Sequence, residues 1–326
     1  MTFPSPYDTW FPDAEFDGSY GHTLATLREV APVPAPADFA ARWQEWRDHA
    51  KTVDAAPTEL SAEIVDGRRV SIVEHTGADG IRLRAWVVES VTTPARVGVV
   101  HSHGYGGRDA IDLARVPDDA VAIFPVARGL TTLNRGVGAP EQPLEHVISG
   151  IDDPEHYALG LCARDLWLAA DALETLVGPL PLYYVGESFG GGIGALALPW
   201  DDRYIGATLV VPSFGQYDER LAVRCLGSGE AVREHVATHP EARDALRWFD
   251  ASTALGFADV PVRVEAALWD QSVPPQGQYA VANAARVLEL AVLPAGHAEY
   301  PGVVAVTAEA IRDGREHLAR VLRAAS

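Results

Sequence analysis

Short apolar runs alternate with stretches of helical periodicity over most of the chain. Five mostly apolar runs lie at residues 97–100, 120–124, 182–185, 207–211 and 262–268. Between them, apolar residues recur at three- and four-residue intervals, most clearly at Leu159, Cys162, Leu166, Ala169, Leu173 and Leu176. Such strand–helix alternation predicts an α/β fold, in which helices cover both faces of a mostly parallel sheet.

The chain before this alternation predicts a separate N-terminal segment. Residues 1–36 are rich in aromatic residues, proline and aspartate, and they predict an extended arm that ends in a stiff, proline-rich linker. A helix is then predicted to begin after Asp38 as N-cap, with Phe39, Trp43 and Trp46 on one face.

Residues 37–326 predict one domain. It begins with an antiparallel hairpin of strands 69–74 and 81–88. From 212 to 250 the alternation stops in a charged stretch of helical character, which predicts a small helical cap inserted between two strands. The glycine- and proline-rich stretch 130–153 predicts a long loop, and long loops in compact domains are often functional.

Charge and composition narrow the partners and the location. Among 326 residues, 45 are acidic and 26 are basic, so the formal charge is −19. A surface of this sign repels nucleic-acid phosphates and anionic membranes, and we expect neither as a partner. The N-terminus lacks a basic stretch followed by an apolar run, and no uninterrupted apolar segment is long enough to span a bilayer. These features predict a cytoplasmic protein.

The strongest chemical signal is a G-x-S-x-G motif formed by Gly186, Ser188 and Gly190. The motif follows the apolar run at 182–185 and precedes small residues that can begin a helix, which is the context in which it marks a nucleophile. A sharp strand-to-helix turn strains the serine backbone and leaves room only for glycine two residues to either side. We therefore expect Ser188 to be a catalytic nucleophile.

A serine hydroxyl requires a general base, which in turn requires an acid that orients it. Among 11 histidines, His297 combines a late position with a loop after an apolar run. Asp270 closes the stretch 262–269 and lies between serine and histidine along the chain, as the order Ser, Asp, His requires. Asp201, Asp202 and Asp218 are weaker candidates for the acid, because they lie in predicted loops nearer Ser188 along the chain, and we interpret them as solvated turn carboxylates.

An oxyanion hole is also required, because the tetrahedral intermediate carries negative charge on the former carbonyl oxygen. We expect one donor to be the backbone N–H of Phe189, directly after the nucleophile. The second donor is expected from the glycine-rich loop at 101–107, through the N–H of Tyr105.

The same loop leaves open a metal-dependent hydrolase as an alternative. His101 and His103 form an H-x-H pair that could supply half of a metal site. Alternate residues of a strand point to opposite faces, and neither H-E-x-x-H nor a cysteine cluster supplies further ligands. Packing or hydrogen-bonding histidines are the preferred interpretation, and we expect no metal or cofactor.

Taken in chain order, short sequence blocks along the chain resemble those of the acetyl xylan esterase / cephalosporin C deacetylase family of α/β-hydrolases. The matching blocks are 36–39 before Trp43, 103–107, Arg128-Gly129, 186–191, 248–250, 268–270, 274–275 and 296–297. The resemblance implies an α/β-hydrolase fold, a Ser188–Asp270–His297 triad, and backbone oxyanion donors from Tyr105 and Phe189. It also implies the removal of acetyl groups from small acetylated sugars and related compounds without a cofactor, and a ring-like homo-oligomer.

Three residues depart from the family pattern. Phe189 replaces a glutamine, which predicts an apolar wall in place of a polar one, although the backbone donor is retained. Leu130 replaces the glutamine of an Arg-Gly-Gln motif, and Ala298 replaces the glutamate after His297. The expected function is therefore hydrolysis of small acyl esters, which the resemblance implies are acetyl esters, with hydrolysis of an amide or a lactone as the alternative.

Overall fold

A computed structural model describes residues 4–325. Met1, Thr2 and Phe3 of the predicted arm, and Ser326, lie outside the described residues. Within the described residues nine strands form one sheet. The strands are β1 (Thr58–Val65), β2 (Arg68–Thr76), β3 (Arg82–Ser90), β4 (Val97–Ser102), β5 (Ala120–Pro125), β6 (Leu182–Glu187), β7 (Tyr204–Val210), β8 (Val262–Ala267) and β9 (Leu288–Leu293).

The sheet order is β1-β2-β3-β5-β4-β6-β7-β8-β9. The pairs β1–β2, β2–β3 and β3–β5 are antiparallel, and every later pair from β5–β4 to β8–β9 is parallel. This confirms the mostly parallel sheet of the predicted α/β-hydrolase fold, and the early hairpin appears as β2 and β3. Strand β1 was not predicted, because all eight of its residues are exposed and no apolar face marks it.

The described helices flank the sheet and fill its connections. They are α1 (Tyr7–Trp10), α2 (Leu24–Leu27), α3 (Phe39–Ala50), α4 (Thr131–Asn134), α5 (Pro143–His146), α6 (Ala158–Val177), α7 (Phe189–Ala197), α8 (Tyr217–Arg220), α9 (Ser228–Thr238), α10 (Ala242–Leu246), α11 (Ala251–Leu255), α12 (Pro275–Ala284) and α13 (Val303–Ala325). Helices α8, α9 and α10 lie within residues 212–250, where the sequence predicts a cap, and α11 begins directly after that stretch. In residues 4–325 we find no helix with the length and apolar character of a membrane span.

Both faces of the sheet are covered, because alternate residues of each strand enter different cores. In β4, Val100 belongs to the larger core, which includes Trp43 of α3 and Trp167 of α6. Its neighbour Val99 belongs to the smaller core, which includes Leu318 of α13. Helix α3 begins after Asp38 as expected, but the Asp38 side chain makes no capping hydrogen bond.

The N-terminal segment is packed against the domain, which differs from the predicted extended arm and linker. Leu27 is fully buried and Val33 is almost so. The backbone of Val33 exchanges hydrogen bonds with α11, accepting one from the Thr253 hydroxyl at 2.7 Å and donating one to the Ser252 hydroxyl oxygen at 3.2 Å. Apolar residues of the N-terminal segment are therefore buried against the domain, whereas an extended linker would leave them exposed.

Asp201 is not the solvated turn residue that the sequence suggested. It is 3% exposed and lies between two arginines. Its Oδ2 is 2.6 Å from Arg203 Nη2 and 3.3 Å from Arg47 Nη2. These ion pairs give Asp201 a structural environment far from that of a turn carboxylate in water.

A buried ion pair holds the long loop after β5 to the domain. Arg128, 3% exposed, donates to both carboxylate oxygens of Asp165 on α6, from Nε at 2.9 Å and from Nη2 at 2.8 Å. It also donates to Asp79, in the turn between β2 and β3, at 2.8 Å. Asp165 accepts a further hydrogen bond from the Ala78 N–H at 2.9 Å.

We predict that Arg128→Met destabilises the fold, because it leaves the Asp165 carboxylate buried without its partner. The free energy of unfolding should fall by about 3–5 kcal/mol, measured by urea denaturation. The control is Arg312→Met, since Arg312 has a side chain that is 61% exposed and surface ion pairs contribute little. Equal stability of the two variants would contradict this account of the Arg128 ion pair.

Candidate active site

Ser188 lies at a sharp turn between β6 and α7. Its backbone has φ 51° and ψ −110°, a conformation that non-glycine residues rarely adopt. The Ser188 N–H donates to the Val210 carbonyl of β7 at 2.8 Å, which holds the turn at the carboxyl edge of the parallel strands. The side chain is thereby presented at the N-terminus of α7, in a partly exposed position.

The glycines of the motif are required by close approach of the backbone. A Cβ atom on Gly186 would lie 2.5 Å from the Gly190 carbonyl oxygen, and one on Gly190 would lie 2.8 Å from the His103 carbonyl oxygen. Any side chain at either position would force the turn to open. The strained geometry of Ser188 therefore depends on both glycines.

The structure brings Ser188, Asp270 and His297 together in a single hydrogen-bonded chain. His297 Nε2 is 2.9 Å from Ser188 Oγ, and His297 Nδ1 is 2.7 Å from Asp270 Oδ2. Asp270 follows β8 and His297 follows β9, so parallel strands deliver both residues to the edge where Ser188 lies. This is the geometry that a general base and its orienting acid require.

Asp270 is fully buried, and four groups around its carboxylate hold it in place. Oδ1 accepts the backbone N–H groups of Ser272 at 2.9 Å and Val273 at 3.0 Å. Oδ2 accepts the Gln278 side-chain amide at 2.9 Å, besides its contact with His297. Gln278, on α12, was missed by the sequence analysis because no local motif distinguishes it from other helical glutamines.

The electrostatic surroundings of His297 favour its protonated form. Partial burial lowers the pKa of His297, but the charge and hydrogen bond of Asp270 and the charge of Glu187 raise it, and the net pKa lies above the ordinary value. Glu187 is exposed at the end of β6, directly before Ser188. Glu187 occupies a variable position of the motif, so no sequence pattern distinguishes it.

The loop 103–107 faces the Ser188 turn and is fixed to it by the backbone. The Gly190 N–H donates to the His103 carbonyl at 3.0 Å, which joins the loop to the first turn of α7. The N–H groups of Tyr105 and Phe189 donate no hydrogen bond to any group within residues 4–325. They are thus available to an acceptor in the cleft beside Ser188.

The His103 side chain stabilises this loop through hydrogen bonds with main-chain groups. Its Nε2 accepts the Ala127 N–H at 3.1 Å and its Nδ1 lies 2.7 Å from the Gly104 carbonyl, so the ring is the neutral tautomer with a proton on Nδ1. Burial lowers the pKa of His103 to about 4, which keeps this tautomer over the physiological range. Both ring nitrogens are therefore engaged by the main chain.

His101 packs within the sheet. Its ring centroid is 5.3 Å from that of Phe124, and burial, followed by the charge of Arg108, holds its pKa well below the ordinary value. No group of three or more His, Cys, Asp or Glu side chains in the described part of the chain is arranged to hold a metal. Since His103 would have to give up a main-chain bond to ligate, the geometry does not favour the H-x-H pair as half of a metal site.

Phe189 does not form the apolar wall that its side chain suggested. It is fully buried, and its ring stands 4.3 Å from the Tyr105 ring and 6.0 Å from the His146 ring, centroid to centroid. The Tyr105 hydroxyl in turn lies 3.1 Å from His146 Nδ1. Phe189 thus supports the loop from behind, and Leu130 is likewise buried in the domain.

The cleft beside Ser188, here called the Ser188 cleft, has a volume of about 400 Å³. Residues 104–107, Glu187 and His297 form one part of its lining, and 226–228 from the predicted cap stretch form another. Ser213 also lines it, with Oγ 3.4 Å from Ser188 Oγ. Ser213 was not predicted, because it carries no motif and reaches the site only through the pairing of β6 and β7.

Comparison with known proteins gives a consistent picture. The family described as Acetyl xylan esterase (AXE1) matches residues 22–309. The acetyl xylan esterase from Paenibacillus sp. R4 is 19% identical with a TM-score of 0.77, over 90% of this chain and 99% of that one. Acetyl xylan esterase 1 from Thermoanaerobacterium sp. JW/SL YS485 is 20% identical with a TM-score of 0.74, over 92% and 99%.

A more distant likeness extends to peptidases. A puromycin-hydrolysing peptidase of Mycobacterium tuberculosis is 15% identical with a TM-score of 0.59, over 80% of this chain and 47% of that one. A comparison with curated proteins found no match. Because these solved structures are at most 20% identical to this chain, they establish only its fold. That fold confirms the predicted α/β-hydrolase architecture.

The family match covers most of the chain and includes the turn at Ser188, the strand end at Asp270 and the loop at His297. It confirms the resemblance predicted from the ordered sequence blocks. The chain belongs to the acetyl xylan esterase family and is a carboxylic ester hydrolase.

Proposed function

We propose that the chain hydrolyses small acyl esters, principally acetyl esters, with Ser188, Asp270 and His297 as its catalytic triad. The observation that carries the proposal is the continuous hydrogen-bonded chain from Ser188 Oγ through His297 to the buried Asp270 carboxylate. The family match supports an acetyl ester as the substrate class.

The first half of the reaction forms an acyl-enzyme. His297 Nε2 takes the Ser188 proton as Ser188 Oγ bonds to the ester carbonyl carbon, and Asp270 stabilises the resulting imidazolium. The carbonyl oxygen becomes an oxyanion, which accepts hydrogen bonds from the backbone N–H groups of Tyr105 and Phe189. The carbon–oxygen bond to the alcohol then breaks, and the alcohol leaves with the proton from His297.

The second half releases the acid. His297 takes a proton from water, whose oxygen attacks the acyl carbon, and the bond to Ser188 Oγ breaks as that oxygen regains a proton. No cofactor is needed for either half. The ring-like homo-oligomer and the cytoplasmic location stay predictions of the sequence.

Ser188→Ala tests the nucleophile. The variant should lower kcat on p-nitrophenyl acetate by a factor on the order of 10⁶, because alanine lacks the hydroxyl oxygen that forms the acyl-enzyme. Ser61→Ala, on the exposed strand β1, is the matched control and should keep the wild-type rate. A loss of only a few-fold in folded Ser188→Ala protein would contradict the proposed role.

Glu187→Gln tests the electrostatics of His297. Only neutral His297 can accept the Ser188 proton, so the acid limb of the pH profile of kcat/KM follows the pKa of His297. The negative charge of Glu187 raises that pKa, and its removal should move the limb to lower pH, by less than about one pH unit because Glu187 is exposed. Glu63→Gln on β1 should leave the limb in place, and a shift to higher pH in Glu187→Gln would refute the argument.

A substrate panel tests the bond and the acyl group. Among p-nitrophenyl acetate, butyrate and octanoate, kcat/KM should be greatest for acetate and at least about ten-fold lower for octanoate, because the Ser188 cleft is small. The matching acetanilide should turn over far more slowly than the acetate. A preference for the anilide or for the octanoate would instead favour an amidase or a long-chain esterase.

A further inference from the structure

The N-terminal segment packs against the residues next to Asp270 in the chain. Tyr7 of α1, with Trp269, Ala295 and Tyr300, forms a small apolar cluster, against which Trp10 and Phe11 pack. Trp269 directly precedes Asp270, so this cluster lies against the residue that orients His297.

Aromatic stacking fixes the N-terminal segment to Trp269. The rings of Phe11 and Trp269 are 3.9 Å apart between centroids, with an interplanar angle of 18°. Trp10 stacks on Tyr300 at 5.5 Å, with an interplanar angle of 15°. These contacts place the aromatic side chains of α1 and its C-cap beside the loops that follow β8 and β9.

Hydrogen bonds tie the segment to the same loops. The Asp270 N–H donates to the Gly18 carbonyl at 2.9 Å, and the Gln271 side-chain amide donates to the Phe16 carbonyl at 2.7 Å. The Tyr7 hydroxyl donates to the Pro294 carbonyl at 3.0 Å. The segment is thus held in a defined position relative to the proposed triad.

A second cleft of about 300 Å³ opens between the segment and these loops. We call it the aromatic cleft, and define it by the lining residues Trp10, Phe11, Ala14, Trp269, Gln271 and Ala298. It shares His297, Ser272 and Leu226 with the Ser188 cleft, so the two clefts meet beside the base. His297 is also the group that would donate a proton to the leaving alcohol, so the alcohol part of an ester at Ser188 would lie on the side where the two clefts meet.

One wall of the aromatic cleft is formed by residues that the family match does not cover. The family match begins at residue 22, after Trp10, Phe11 and Ala14. Residues beyond the family match thus supply one wall of a cleft whose other wall, at Trp269 and Ala298, lies within it.

We propose that the aromatic cleft is the binding site for the alcohol part of the ester, and that it selects a six-membered ring with a flat apolar face. Aromatic rings that line a cleft can contact such a face, and four polar side chains accompany them, those of Asp13, Gln271, Ser272 and His297. The C–H face of a pyranose and a cyclohexyl ring share this chemistry. The proposal rests on the proposed esterase function and names its leaving group.

The test compares kcat/KM for cyclohexyl acetate and for ethyl acetate, two esters with the same acyl group whose alcohols differ in the presence of a six-membered ring. Trp10→Ala should lower the cyclohexyl-to-ethyl ratio of kcat/KM by up to about ten-fold, the range expected for one aromatic contact. Trp10→Phe should restore most of the ratio. Leu24→Ala, a truncation of an exposed apolar residue of α2 outside the cleft, should leave the ratio at the wild-type value.

A second variant fills the cleft without removing an apolar contact. Ala14→Trp adds bulk to the lining and should lower the same ratio even if Trp10→Ala fails to fold. Repeating the comparison with a monoacetylated methyl xylopyranoside in place of cyclohexyl acetate separates a sugar from a purely apolar ring.

An unchanged ratio in Ala14→Trp, or an equal loss on both esters in Trp10→Ala, would overturn the proposal and leave the segment a structural support. These outcomes differ from failure of the esterase function itself. In that case the wild-type protein would hydrolyse neither ester, or Ser188→Ala would remain active.

Discussion

The close approach of two backbone segments at the Ser188 turn is the constraint on which the site depends. Gly186 and Gly190 allow β6 to pass directly into α7, and the Gly190 N–H then reaches the His103 carbonyl. That one hydrogen bond sets the distance between the nucleophile and the loop carrying the Tyr105 N–H. The strain at Ser188 persists because sheet pairing on one side and the glycine contact on the other hold it.

Buried polar groups keep the surrounding loops in register with this turn. His103 uses both ring nitrogens on main-chain groups, and Arg128 joins the loop after β5 to Asp165. Asp270 receives two backbone N–H groups and the Gln278 amide, which orient the carboxylate that contacts His297. Each group is buried with its partners present, so the site is held by satisfied hydrogen bonds instead of by loop packing alone.

The local patterns predict the parallel strands, and they place Ser188, Asp270 and His297 in the turn and loops that follow β6, β8 and β9 at one edge of the sheet. They could not give Gln278, whose role arises from α12 lying across the loop after β8. They wrongly predicted that the Phe189 side chain lines the site, because its orientation depends on packing against the Tyr105 ring. They did not predict β1, because that strand has no buried face. The packing of residues 4–36 was unpredictable because its partners, such as Trp269, are distant in sequence.

The central claim is that Ser188 carries the acyl group during turnover, while the loop at Tyr105 and the N-terminal segment shape what surrounds it. Rapid acid quench of the reaction with p-nitrophenyl acetate, followed by peptide mass spectrometry, measures this directly. The account predicts one acetyl group on the peptide containing Ser188, and none in Ser188→Ala protein. Acetylation at another residue, or turnover with no acetylated peptide at any time, would contradict it.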